Sequence, residues 1–375
     1  MLVVMMLAIA APDARAAPTD STAHGVRLAS PAVVRILTSV DGQVVCHSCA
    51  ADGSTITFPS DESTYGWVFS GSGTLISPDG YVLTADHVVD FKQNDPYIQG
   101  LFLQSVIKDY AKTHRISEDE ATRLFKQVQN QLSFPYKVTR QQVFLSTPYT
   151  GPLRNVAQLT SYDVTRIVVN SPPEKQDVAI IKVEADDLPY LALASASSIQ
   201  VQDSVTAITF PVDTETSSFV DLTDPTHSTP NVLTALLTPS VETVQVTAEK
   251  TQSDGTLVYV TTGFISYGSS GGPVVNSQGE IIGFADAMST SERVAFLVPS
   301  EIIASYTKQA GIAKPEAGAF MSLWTKAITE YDATGACHWT QAYQERNRCQ
   351  LCAAVWTKRL VWSRFSAAEA TLMRD

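Results

Sequence analysis

The spacing of apolar and polar residues changes several times along this chain, and each change marks an element. Gly73-Thr74-Leu75-Ile76 and Tyr81-Val82-Leu83-Thr84 are short strand-like runs separated by Ser77-Pro78-Asp79-Gly80, a tight-turn sequence, so this segment is predicted to be a β-hairpin. Val178, Ala179, Ile180 and Ile181 follow one another without a polar break, the pattern of a buried strand. Between them the period becomes helical. Leu103, Val106, Ile107 and Tyr110 fall on one face, and Ser117 with Glu120 forms a capping box before Ala121, Leu124, Phe125, Val128 and Leu132, which predicts a helical insertion over 96–134. From about Ala313 the tail is helical in pattern. Trp324, Ala327, Ile328 and Tyr331 have the spacing that opens a tetratricopeptide repeat, yet one repeat cannot bury its own face. A plain amphipathic helix or a capping hairpin docked on the main domain accounts for it.

The first residues, MLVVMMLAIAAPDARAAP, form an apolar run ending in Ala14-Arg15-Ala16. That is the pattern of a signal peptide over 1–16 and implies an extracytoplasmic protein, secreted or in the cell envelope. The run is too short to span a bilayer. The chain has 375 residues, is 44% hydrophobic and 17% charged, and is long enough for one large core or two. A formal charge of -12 argues against nucleic acid or an anionic membrane as partner. Five cysteines occur, Cys46 and Cys49 as CHSC and Cys337, Cys349 and Cys352 in the tail. Two Cys-x-x-Cys pairs suit a four-thiolate zinc site, but export favours disulfides. Haem attachment would need a histidine where Ala50 and Ala353 stand.

Candidate chemistry begins at GSSGGPVVNSQGEIIGF, residues 268–284, where Ser270 stands among glycines. A serine hydroxyl needs a base and a carboxylate to hold that base in one tautomer. Of the six histidines, His87 follows the hairpin directly and is rigidly placed at a strand exit. Asp177 precedes the apolar strand run and is better placed for burial than Asp163, Asp186 or Asp187. Asp86 is a poor rival, since adjacency in the chain points it away from the His87 ring. The order His87, Asp177, Ser270 excludes the α/β-hydrolase arrangement that Gly268-x-Ser270-x-Gly272 would otherwise suggest, because there the serine comes first.

From about Ser30 to Ser300 the chain resembles a trypsin-fold serine protease of the HtrA/Deg type. The resemblance rests on GSGTLISPDGYVLTADHVV, DVAIIKV, LPYLALASASSIQVQDSVTAITFP, GSSGGPVVNSQGEIIGF and VAFLVPSEII, in that order. It implies an all-β core of two six-stranded antiparallel barrels within 26–312, the first over about 26–186 and the second over about 187–312. It further implies a triad of His87, Asp177 and Ser270 and an oxyanion hole from the N–H groups of Gly268 and Ser270. Phe264, Ala295 and Phe296 would line the substrate pocket and favour small or medium apolar residues. Ser269 departs from the Asp or Asn that such proteases carry before the serine. The tail, 313–375, is not the PDZ domain that HtrA proteins often append. The implied activity is endopeptidase, on protein or peptide substrates including unfolded chains, with no metal or cofactor. A homotrimer is implied by the resemblance alone. Two other classes stay open. One is a non-catalytic protease-fold binder of unfolded chains, and the other a thiol or zinc module on this scaffold.

Overall fold

The computed structural model of the chain describes residues 21–92, 95–151, 159–195, 199–212, 230–251, 255–262, 266–289, 294–313 and 318–334. Its first half runs α1 (Ser21–Ala29), β1 (Val33–Gly42), β2 (Val44–Cys46), β3 (Ile56–Phe58), β4 (Tyr65–Leu75), β5 (Tyr81–Thr84) and the single turn α2 (Asp86–Val89). Helices α3 (Pro96–His114) and α4 (Glu118–Gln127) follow, then β6 (Leu132–Ser133), β7 (Tyr136–Leu145), α5 (Thr147–Thr150), β8 (Ser161–Ser171) and β9 (Val178–Val183). The second half runs β10 (Ser204–Thr209), α6 (Pro230–Leu236), β11 (Ser240–Thr251), β12 (Leu257–Thr262), β13 (Pro273–Val275), β14 (Ile281–Ser289), β15 (Val294–Pro299), α7 (Ser300–Gln309) and α8 (Ala319–Thr334).

Two closed antiparallel barrels result, with strand orders β1-β4-β5-β9-β8-β7 and β10-β11-β12-β15-β14-β13. Closure leaves neither barrel with a free edge. The apolar run read from the sequence is β9, all six of its residues buried, and the expected hairpin is the end of β4 with β5, Thr74 opposite Leu83 and Leu75 opposite Val82. In its turn the Ser77 hydroxyl accepts from the Tyr81 N–H at 3.0 Å. The largest core cluster fills the first barrel with Ile36, Leu75, Leu83, Ile180 and Ile181. It continues through Ile208, Phe210, Phe284 and Val298 of the second half, so the barrels share apolar contact where they meet.

The inserted helices pack on the end of the first barrel. Ile98, Phe102, Val106 and Phe125 are buried against Val40, Val44 and Tyr136, with Leu103, Ile107 and Tyr110 half-buried in the same cluster. The Ser117 hydroxyl accepts from the Glu120 N–H at 3.1 Å, a stop and start that separates the helices. Cys46 and Cys49 stand as a pair at the end of β2, Cα atoms 5.6 Å apart; the three tail cysteines lie outside the described residues, as does the 1–16 segment. Helix α8 does not stand free. Trp324 and Ile328 bury against Leu28 of α1, the Trp324 indole N–H donates to the Arg27 carbonyl at 3.1 Å, and Asp332 pairs with Arg27 at 2.5 Å and with His24. The α1 helix, which carries no strong periodic signal in the sequence, is thus the surface that α8 covers. Among the described residues no helix is long and apolar enough to cross a membrane.

Candidate active site

Register alone brings His87 and Asp177 together. Strands β5 and β9 are antiparallel neighbours with Thr84 opposite Ala179, so the residues just past the end of β5 face those just before the start of β9. The Asp86 N–H bonds the Asp177 carbonyl at 3.2 Å. His87 then meets the Asp177 carboxylate twice, its backbone N–H donating to Oδ1 at 3.0 Å and its ring Nδ1 to Oδ2 at 2.5 Å. Asp177 has φ +47°, a left-handed conformation that aspartate tolerates better than most residues. It is closed by the Asp177 N–H bonding the Pro172 carbonyl at 3.2 Å. The Tyr306 hydroxyl of α7 donates to the Gln176 side-chain carbonyl at 2.6 Å, fixing the adjacent residue.

Burial alone would push the Asp177 carboxyl up. Hydrogen bonds from His87, the neighbouring Asp286 carboxyl and the His87 charge outweigh it and hold the group below the ordinary aspartate value. Asp86 is fully buried and turned elsewhere, its Oδ1 accepting from the Asn170 amide at 2.8 Å. Burial raises its pKa to about 6, with Asn170 opposing and Asp90 and Asp177 adding to the rise.

Ser270 lies in the loop between β12 and β13, and this loop is fastened to both barrels. Its carbonyl accepts from the Ser72 N–H of β4 at 2.9 Å, and the Gly271 N–H bonds the Ala285 carbonyl of β14 at 2.7 Å. Ser72, fully buried, donates its hydroxyl to the Gly268 carbonyl at 2.7 Å and accepts from the Phe210 N–H at 2.8 Å. Gly271 has φ +86°, and a Cβ there would stand 2.3 Å from the Ser72 carbonyl oxygen and the Thr84 hydroxyl. At Gly268, φ +88°, a Cβ would stand 2.5 Å from the Phe210 carbonyl oxygen. Only glycine lets the loop lie this close to its supports. Among the described residues the backbone N–H groups of Gly268 and Ser270 donate to no backbone carbonyl. Ser269 is buried, its N–H bonding the Ser266 carbonyl at 3.0 Å. The Ser270 hydroxyl donates to the Asp286 carbonyl at 2.7 Å.

Of the pocket candidates, Phe264 lies outside the described residues. Ala295 is fully buried in the second-barrel core cluster, and Phe296, on the opposite face of β15, is half-buried. Tyr267, beside Gly268 and 67% exposed, is the large side chain that the loop presents to solvent. The sequence reading missed Ser72, which sits in an unremarkable Gly-Ser-Gly run. It also missed Asp286, whose signal was an acidic residue inside the apolar strand run IIGFADAM. One ligand-type atom from each of His87, Asp177 and Asp286 lies within 4.8 Å of the others, the one metal-compatible set among the described residues. The His87 ring nitrogen and Asp177 carboxylate in it already bond each other.

Two antiparallel barrels, with a paired histidine and aspartate on one and a glycine-bound serine loop from the other, define a trypsin-fold peptidase architecture. The chain belongs to the trypsin-like peptidase domain family, whose sequence pattern matches residues 71–284, more than half of its length. The chain is similar to serine proteases of the HtrA name. It is 26% identical over 240 residues to serine protease HTRA1B of Danio rerio, covering 64% of this chain and 34% of that protein. It is 28% identical over 134 residues to the "Probable periplasmic serine endoprotease DegP-like" of Hahella chejuensis, covering 34% of this chain and 24% of that one. The chain therefore spans about a quarter to a third of the curated relatives it matches. Among solved structures it is similar to a serine endoprotease from Yersinia pestis, with 18% identity, a TM-score of 0.42, and coverage of 78% of this chain and 67% of that one.

Proposed function

We propose that this protein is a serine endopeptidase that hydrolyses peptide bonds by acyl transfer through His87, Asp177 and Ser270. The observation that carries the reading is the double hydrogen bond between His87 and Asp177. With Nδ1 committed to the carboxylate, Nε2 holds the lone pair on a ring whose side chain is 40% exposed. Ser270 turns from the Asp286 carbonyl, gives its proton to Nε2 and attacks the substrate carbonyl. Asp177 stabilises the resulting imidazolium, and the N–H groups of Gly268 and Ser270 receive the oxyanion, one such donor being worth on the order of 3 kcal/mol. His87 then protonates the leaving amine, and water releases the acyl group by the same steps in reverse roles. No cofactor takes part.

The hydroxyl bond to Asp286 favours a resting enzyme of low activity, because the nucleophile must first leave a good acceptor. The name of the periplasmic DegP-like relative supports an extracytoplasmic site of action on protein or peptide substrates. In that compartment Cys46 and Cys49 would form a disulfide. The test is labelling of the folded protein with a fluorophosphonate, mapped by mass spectrometry, with Ser270→Ala as control. A single label on Ser270 that the variant lacks is expected, whereas folded protein that takes no label would refute the reading in favour of a non-catalytic binder.

A further inference from the structure

Asp286 is buried in β14 beside the groups to which catalysis is assigned, and the proposed mechanism uses only its backbone carbonyl. Its side chain has 8% residue exposure, and among the described residues no N–H or O–H donor faces its Oδ1. What it does face is the Asp177 carboxyl and the His87 ring, with one ligand-type atom of each of the three within 4.8 Å. Two ionised carboxylates in a buried contact repel each other too strongly to persist, so such a pair holds one proton between them. The surroundings decide which oxygen carries it. Asp177 accepts from the His87 backbone N–H at 3.0 Å and the ring Nδ1 at 2.5 Å, and both bonds favour its ionised form. Among the described residues no such donor bonds the Asp286 Oδ1.

We propose that Asp286 is a positioning residue that donates a hydrogen bond to Asp177 as the neutral acid, and that loss of this proton is a switch that disarms the site. The inference rests on the protease reading for its link to activity. With the proton in place, Asp177 receives a third hydrogen bond, its orientation toward Nδ1 is fixed, and the carboxyl pair carries one negative charge opposite His87. With the proton gone, the pair carries two. Repulsion parts the carboxyls, and the added charge favours imidazolium, which cannot act as a base. Asp286 also holds the Ser270 hydroxyl through its carbonyl at 2.7 Å, so movement of this stretch of β14 is felt at the nucleophile.

The charges around Asp286 act in this direction. Burial raises its carboxyl well above the ordinary value, and the hydrogen bond to Asp177 and the charge of that residue raise it further. The flanking strands β13 and β15 carry no ionisable side chain. Helix α7, packed on the same strands, carries Glu301, Tyr306 and Lys308, and the Tyr306 hydroxyl is committed to Gln176. His87 comes from α2 and Asp177 from the start of β9. The sign follows. An acid whose folded pKa is raised keeps its proton at low pH and loses it as pH rises through that folded value, so the disarmed form lies on the alkaline side.

The experiment follows the carboxyl carbons of aspartate-labelled protein by NMR across an acid-to-alkaline titration, in the Ser270→Ala background to prevent self-digestion, with and without Asp286→Asn. In parallel, kcat/KM or the rate of fluorophosphonate labelling is measured against pH for the wild type, Asp286→Asn and Asp286→Ala. A carboxyl still protonated at neutral pH and absent from Asp286→Asn is expected. The wild type should show an alkaline limb that Asp286→Asn lacks, because an amide donates the same bond without titrating. Asp286→Asn should stay within about tenfold of wild type at neutral pH and Asp286→Ala should lose about a hundredfold. A carboxyl ionised at neutral pH, or superimposable profiles for wild type and Asp286→Asn, would overturn the proposal. Stoichiometric Zn2+ bound with both carboxyls ionised and lost in Asp286→Asn would overturn it too, as a metal site. If the wild type takes no label at any pH, the protease reading fails while the NMR titration still decides where the proton sits. Should Asp286→Asn fail to fold, the titration of the Ser270→Ala protein alone decides it.

Discussion

Replacing Ser72 by alanine removes one oxygen and tests whether the two barrels hold the serine loop in place. The hydroxyl donates to the Gly268 carbonyl at 2.7 Å and accepts from the Phe210 N–H at 2.8 Å, and Ser72, Gly268 and Phe210 are all buried. Alanine keeps the Cβ, so packing changes little, but two backbone groups are left without partners out of reach of water. Each orphaned group costs about 1–3 kcal/mol, and the pair about 2–4 kcal/mol once partial relaxation is allowed. The cost falls on a particular place, because Gly268 supplies one of the two N–H groups proposed to receive the oxyanion. Its peptide would drift without the Ser72 bond, and kcat should fall by about 10- to 100-fold, a fraction of what complete loss of one donor costs. Urea unfolding in the Ser270→Ala background measures the first effect, and kcat with a peptide substrate in the otherwise wild-type chain measures the second. A variant within about 0.5 kcal/mol of its parent, with unchanged kcat, would refute the clamp.

Three further substitutions test other parts of the construction. Gly271→Ala puts a Cβ 2.3 Å from the Ser72 carbonyl oxygen and the Thr84 hydroxyl at φ +86° and should cost more than about 3 kcal/mol, whereas Gly255→Ala, at φ +88° with nothing within 4 Å, should cost only about 1 kcal/mol. Thermal melts of the two variants that shift equally would contradict the close-approach argument. Asp86→Asn removes a buried acid raised from 3.8 to about 6. The folded state holds that proton more tightly than the unfolded chain, so wild-type stability is lost as pH rises through about 6 and the variant should not share the loss. The shift bounds the effect at about 3 kcal/mol, and screening near exposed Lys92 reduces it to about 1–2 kcal/mol. Parallel unfolding curves for the two proteins from acid to neutral pH would exclude this role.

Legibility in the sequence followed locality. The turn Ser77-Pro78-Asp79-Gly80 and the run of β9 were readable because each is decided by its own residues, and antiparallel pairing of β5 with β9 then carries His87 to Asp177 without further information. The two insertion helices were readable for the same reason, Ser117 being a cap whose partner is three residues away. Ser72 was not readable, because its partners Gly268 and Phe210 lie 196 and 138 residues along the chain and nothing in Gly-Ser-Gly distinguishes a clamp from a loop. Helix α1 was equally silent, since its function is to meet Trp324 nearly three hundred residues later. Asp286 is intermediate: an acid inside an apolar strand announces that something must compensate it, but only the fold shows that another acid, Asp177, lies beside it.

These long-range residues share a location, and that location explains why they matter. Each barrel closes on itself and has its own apolar interior, so neither needs the other for its hydrogen bonding. The proposed site nevertheless spans the place where they meet, with His87 and Asp177 on one side and Ser270 on the other. Among the described residues the polar attachments across that seam include the Ser72 N–H to Ser270, the Ser72 hydroxyl between Gly268 and Phe210, Arg35 to the Leu236 carbonyl, the Thr147 N–H to the Leu237 carbonyl, and Tyr306 to Gln176. Because each barrel's strand pairing is complete without the seam, the relative setting of the barrels can change at lower cost than unfolding either one. Substitutions at the seam should therefore separate activity from stability more sharply than substitutions in either core, and Asp286, whose carboxyl lies within 4.8 Å of the Asp177 and His87 ligand atoms and whose carbonyl accepts from Ser270, is where the proposed proton would act on both halves of the site at once.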